Sequence, residues 1–145
     1  MDYQASNPEF AEDIKRSFAG QSIMSLLGAQ LNLVAPGLVE IVLPYRSDLT
    51  QQHGHLHAGV VTTIADSAAG YAAYTLMPAG SEVLSVEFKV NLLRPARGKS
   101  FLARAEVIKP GRTLTVARSN VFAITGSGDS ELIATMLGTM ICLRK

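Results

Sequence analysis

From Gln51 to Met77 the chain reads QQHGHLHAGVVTTIADSAAGYAAYTLM, and no other stretch limits its fold so severely. After Gly54 and a cluster of histidines, Val61, Ile64, Ala65, Ala68, Ala72 and Leu76 recur at a spacing near 3.6, which predicts a helix with one apolar face. Most of those side chains are small, so the helix can lie close to a sheet. Met77-Pro78-Ala79-Gly80 stops it. One carboxylate, Asp66, sits inside the run, and its same-face neighbours Thr62, Ala69, Gly70 and Ala73 carry no charge to pair with it. An aspartate on a helix ordinarily faces solvent. A carboxylate partly buried in a cleft is, by contrast, what catalysis uses.

Around this helix the chain alternates strands and turns. Asn7-Pro8-Glu9 predicts a helix start with Asn7 as the cap, and Phe10, Ile14 and Phe18 give that helix a narrow apolar stripe. With a second short piece from Ser22 to Leu27, ended by Gly28, the helical segment runs over residues 8–27. Ala29 to Ala35, a Pro36-Gly37 turn and Leu38 to Leu43 predict a hairpin, and Tyr45 to His55 a loop into the central helix. Four strands follow: Glu82 to Arg94, Ser100 to Lys109, Thr113 to Ile124 and Glu131 to Leu143. Short connections favour antiparallel pairing of each with the next. Their length exceeds the usual five or six residues, as a strongly curved sheet around one helix requires. The expected fold is α+β, a single domain over residues 1–145.

With 145 residues the chain can bury a core without staples. Its net charge of +1, with the charges scattered, argues against a nucleic-acid stripe. At 48% hydrophobic and 17% charged it is slightly apolar for a monomer, and a subunit interface would absorb the excess. The N-terminus has no apolar signal region and no run is long enough to span a bilayer, so a cytoplasmic protein with no membrane partner is expected. Cys142, the only cysteine, is read as a buried small hydrophobe in a strand. His53, His55 and His57 alternate, but no acidic or cysteine ligand accompanies them and the segment leads into a helix, so no metal site is expected.

The segments GHLHAGVVTTIADSAAGYAA, VLSVEFKVNLLRPARG, KPGRTL and LIATMLGTM, in this order, resemble the hotdog-fold acyl-CoA thioesterases of the PaaI type. Phe18 to the C-terminus is covered. Two positions depart from the family: its usual His-Gly-Gly is His57-Ala58-Gly59 here, and its common asparagine is Gln51. Alanine can replace the middle glycine if that position acts through its N–H and needs no positive φ.

The resemblance implies a hotdog fold, a long curved sheet wrapped around one helix, and hydrolysis of an acyl-CoA thioester at a dimer interface. Coenzyme A is then part of the substrate, and no cofactor is expected. The leading N–H groups of a helix lack intrahelical partners and favour an anion. Ala58 and Gly59 therefore stand where a thioester oxyanion could be held, with Gln51 beside them and His57 bracing the loop. The resemblance assigns Asp66 the role of general base or nucleophile and places the Ser85 hydroxyl near the thioester or its water; a cross-strand hydrogen bond is the alternative for Ser85. It brings Arg94, Arg97 and the turn Gly111-Arg112-Thr113 to the nucleotide end of coenzyme A, where guanidinium and turn N–H groups suit phosphate oxygens.

Asp66 lies roughly 11 to 12 Å along the helix from the donors at its start, by a rise of 1.5 Å per residue. One subunit cannot easily present both groups to one carbon. A homodimer is expected to supply the donors from one chain and Asp66 from the other, and two dimers could associate further. Two alternatives stay open: a hotdog dimer that binds acyl-CoA without turnover, and a hydratase or dehydratase. The second lacks its usual prolines after the histidine, since AGVV follows His57.

Overall fold

Alanine decides how closely helix and sheet meet. In the computed structural model, which describes residues 2–144, the chain forms α1 (Phe10–Gly20), α2 (Ser22–Leu27), β1 (Gln30–Ala35), β2 (Leu38–Pro44), α3 (Ala58–Tyr74), β3 (Glu82–Leu92), β4 (Ser100–Lys109), β5 (Leu114–Ile124) and β6 (Ser130–Leu143). A short 3₁₀ turn, Ser47–Leu49, lies in the loop before α3. Ala65, Ala68, Ala69, Ala72 and Ala73 of α3 are fully buried, as are Ala103 and Ala105 of β4 and Ala117 and Ala123 of β5, which alternate inward along their strands. Small residues thus face each other across the layer, and α3 packs against every strand from β2 to β6. The buried surface is wider than the periodicity implied: Tyr71 is buried too. No helix of the described residues is long and apolar enough to cross a membrane.

The six strands form one antiparallel sheet in the order β1-β2-β4-β5-β6-β3. Here the expected pairing of neighbours fails at one place. Strand β3 does not pair with β4; it lies at the far edge against β6, with Glu82 opposite Leu143 and Leu92 opposite Ala134. Its place beside β4 is taken by β2, in a register that sets Leu38 opposite Glu106. The link from Leu93 to Lys99 crosses the end of the sheet instead of making a tight hairpin, and Ala96 C=O on the way accepts the Leu56 N–H at 3.1 Å. Strand β3 also ends at Leu92, so Arg94 belongs to this link. Register shifts within the β1–β2, β3–β6, β4–β5 and β5–β6 pairs mark bulges, which bend long strands around a helix.

The N-terminal helices cover one flank of α3. Helix α1 begins at Phe10, later than its sequence implied, because Asn7 first closes a turn: its side-chain oxygen accepts the Glu9 N–H at 3.0 Å and its C=O accepts the Phe10 N–H at 3.2 Å. From there the stripe packs as its spacing requires, with Ile14 fully buried and the Phe18 ring 6.0 Å from that of Tyr71. Gly28 ends α2 in the left-handed region at φ 75°, where glycine carries no Cβ penalty. Cys142 is free and buried.

Candidate active site

The helix start is held by its own loop. Gln51 N–H donates to His55 C=O at 2.9 Å, His57 N–H to Leu49 C=O at 3.0 Å, and the Gln51 side-chain oxygen accepts the N–H groups of His53 and His55. The Gln51 amide is thus anchored through its oxygen, and its two side-chain N–H donors have no partner among the described residues. With Ala58, Leu56, Val61, Leu92 and Ile133 it lines a mostly apolar cavity of about 400 Å³.

His57 is the N-cap of α3. Its Nδ1 accepts the Gly59 N–H at 2.8 Å, so one of the two donors expected at the helix start is already occupied. The reason for glycine at position 59 follows: a Cβ there would sit 3.0 Å from His57 Nδ1 and crowd the cap. Ala58 N–H makes no hydrogen bond among the described residues. No non-glycine residue there has a positive φ, so alanine at position 58 costs the backbone nothing. Loss of the cap in His57→Ala is expected to destabilise the protein by about 1 kcal/mol, seen as a melting-temperature drop of about 2 to 4 °C.

Two turns further on, Asp66 faces the edge strand. Ser85 Oγ of β3 donates to Asp66 Oδ1 at 2.7 Å, and it also lies 3.3 Å from Met140 Sδ. The serine hydroxyl thus faces both the helix carboxylate and Met140, the residue opposite it on β6. Asp66 is partly exposed and lines a cleft of about 140 Å³ with Ser85, Ser17, Gln21 and Tyr71. Burial raises the Tyr71 phenol above its ordinary pKa, against a smaller opposite effect from its hydrogen bond with Ser17, so it remains neutral. Sequence reading did not single out Ser17, Gln21 or Tyr71. Only the apolar stripe of α1, which implied a helix lying on something, hinted at this wall.

The arginines divide between the two ends of α3. Arg94 lines the cavity at the helix start, with Nε 3.1 Å from Glu131, and Arg97 stands nearby with its guanidinium 3.3 Å from His55 Nε2. Gly111 and Arg112 lie at the opposite end, in a separate cavity with Leu76, Pro78 and Arg144, and Thr113 accepts the Cys142 N–H at 2.8 Å. One chain cannot place both groups on one nucleotide. Gly111 has a local reason to be glycine, since a Cβ there would lie 2.2 Å from the Leu114 carbonyl oxygen. The three histidines take separate tasks: His55 meets Arg97, His57 caps α3, and His53 is exposed.

Residues 53–128 match the thioesterase superfamily. Over 121 residues the chain is 30% identical to a protein of Halobacterium salinarum provisionally named an esterase, covering 80% of each chain. A thioesterase family protein from Silicibacter pomeroyi superposes with a TM-score of 0.92 at 51% identity, over 94% of this chain and 99% of that one. The PaaI protein of E. coli, from the phenylacetic acid degradation operon, superposes with a TM-score of 0.81 over 95% of each chain, at 16% identity.

Proposed function

This chain belongs to the thioesterase superfamily and has its hotdog fold, and from that premise we propose that it hydrolyses acyl-CoA thioesters at sites shared between two subunits. The observation that carries the reading is one helix with an uncommitted N–H at its start, Ala58, and a carboxylate braced by a hydroxyl, Asp66 with Ser85, too far along for both to reach one carbon.

The edge strand supports the second subunit. In β3, Leu84, Val86, Phe88 and Leu92 are 57%, 54%, 42% and 54% exposed. Such a long apolar edge, with its unpaired backbone groups, is an open template for another strand. A second β3 laid antiparallel to the first satisfies it, and the two-fold axis runs the two α3 helices in opposite directions, start of one toward middle of the other. Two identical sites result.

In the reaction, the thioester carbonyl lies against Ala58 N–H, with the Gln51 amide beside it. Asp66 of the other subunit takes a proton from water as the water oxygen attacks the carbonyl carbon. The N–H donors hold the negative charge of the tetrahedral intermediate. The intermediate then collapses, breaking the C–S bond and releasing the acid and the coenzyme A thiolate, and the proton held by Asp66 passes to the thiolate, which restores the carboxylate. A thiolate is a competent leaving group near neutral pH, since thiols ionise near pKa 8.5, so the leaving sulfur needs little help. Ser85, by its hydrogen bond to Oδ1, aims the Asp66 carboxylate. Arg94 and Arg97, beside the cavity at the helix start, suit the phosphates of coenzyme A.

Thiol release from a panel of acyl-CoAs tests the reading. The wild type is expected to be a dimer by sedimentation and to release thiol. Val86→Lys combined with Phe88→Lys is expected to give a folded monomer that does not. Tight acyl-CoA binding without thiol release from any member would instead identify a sensor.

A further inference from the structure

The cleft at Asp66 has a polar wall that water activation does not require. Gln21 occupies the joint between α1 and α2, fixed by its backbone: its N–H donates to Phe18 C=O at 3.1 Å and its C=O accepts the Met24 N–H at 3.0 Å. Its side chain is oriented by the residue after the carboxylate, because Ser67 Oγ donates to Gln21 Oε1 at 3.0 Å. With the oxygen committed, the Nε2 donors of Gln21 have no partner among the described residues. Across the same cleft stands the Ser17–Tyr71 hydroxyl pair, 3.1 Å apart.

Two of the spaces on the chain border the groups proposed for catalysis, one at Ala58 and one at Asp66, and their chemistry assigns the halves of a thioester. Arg94 borders the larger apolar cavity and Arg97 lies close by, so the polyanionic coenzyme A half belongs on that side and its arm in that cavity. The acyl half is left with the Asp66 cleft. That cleft, at about 140 Å³, is the smaller of the two, and its wall is polar. We propose that Gln21 is a specificity-determining residue, whose Nε2 donates to an acceptor oxygen on a short acyl group, with Ser67 as the residue that positions it. This inference rests on the thioesterase reading.

The test compares 3-hydroxybutyryl-CoA with butyryl-CoA, which differ by one hydroxyl, and adds octanoyl-CoA. The wild type is expected to prefer the hydroxylated substrate by about tenfold in kcat/KM, the size of one good hydrogen bond, and to use octanoyl-CoA less well than either. In Gln21→Met, of similar length but without donors, the ratio should fall to near one, and in Ser67→Ala it should fall part of the way. Because the ratio is internal to each variant, partial loss of folded protein scales both rates and leaves it unchanged. A wild-type ratio near one, a ratio preserved in Gln21→Met, or a preference for octanoyl-CoA overturns the inference while leaving a thioesterase in place. Thiol release from no acyl-CoA at all removes both.

Discussion

Asp66→Asn is expected to fold and dimerise as the wild type does and to lose about 10²- to 10⁴-fold in kcat, the range a positioned general base contributes. Asparagine keeps the shape, and its carbonyl oxygen can still accept the 2.7 Å hydrogen bond from Ser85 Oγ, so the cleft should persist. What is lost is the ability to take a proton from water. Substrate should still bind, because the contacts proposed for coenzyme A lie elsewhere. The variant therefore separates catalysis from binding: KM is expected to change little while kcat falls. Thiol release within about threefold of wild type would remove Asp66 from the chemistry.

The second large effect is expected from Ala58→Pro. Proline is favoured at the first position of a helix, where its missing N–H has no intrahelical partner to lose. The preceding residue must be extended, and His57 already is, at φ −62° and ψ 139°. The substitution thus removes one N–H with little expected disturbance to the helix. If that group holds the oxyanion, its loss should cost about 2.7 to 4 kcal/mol of transition-state stabilisation, about 10²- to 10³-fold in kcat. Ala58→Gly, which keeps the N–H, should retain most activity. Mixing the Ala58→Pro and Asp66→Asn proteins under conditions of subunit exchange should restore thiol release, since each heterodimer has one site with both groups intact. No recovery despite demonstrated exchange would mean that each chain works alone.

The glycine at position 59 and the alanine at position 58 illustrate how differently two adjacent residues can be read. The sequence offered both N–H groups to an oxyanion. In the folded chain His57 turns back and takes the Gly59 N–H, which leaves Ala58 as the uncommitted donor. Backbone donors at a helix start can be counted from sequence. Their competition with a nearby side chain depends on a rotamer that the loop selects. Arg112 makes the same point over a longer range: its turn is legible, but its location at the far end of α3 depends on where β5 lies in the sheet.

Local physics was sufficient for most of the architecture. The spacing of small apolar residues made α3 a helix that could lie against a sheet, Gly28 and Pro78 marked ends, and alternation marked the strands within a few residues of where they run. These signals act between residues close in the chain, so they are readable without coordinates. Which strand lies beside which is another matter. The turn preference that paired neighbours failed for β3 because its position is set by the burial of α3 beneath the whole sheet, and that global packing sent β3 to the edge beside β6. Only there can Ser85 reach Asp66, and only the docking of α1 and α2 on the flank of α3 brings Gln21 to Ser67. The sequence alone determined the helix, its start and its one carboxylate. The tertiary structure decided what surrounds that carboxylate, because contacts between residues distant in the chain are settled by how the layers pack together.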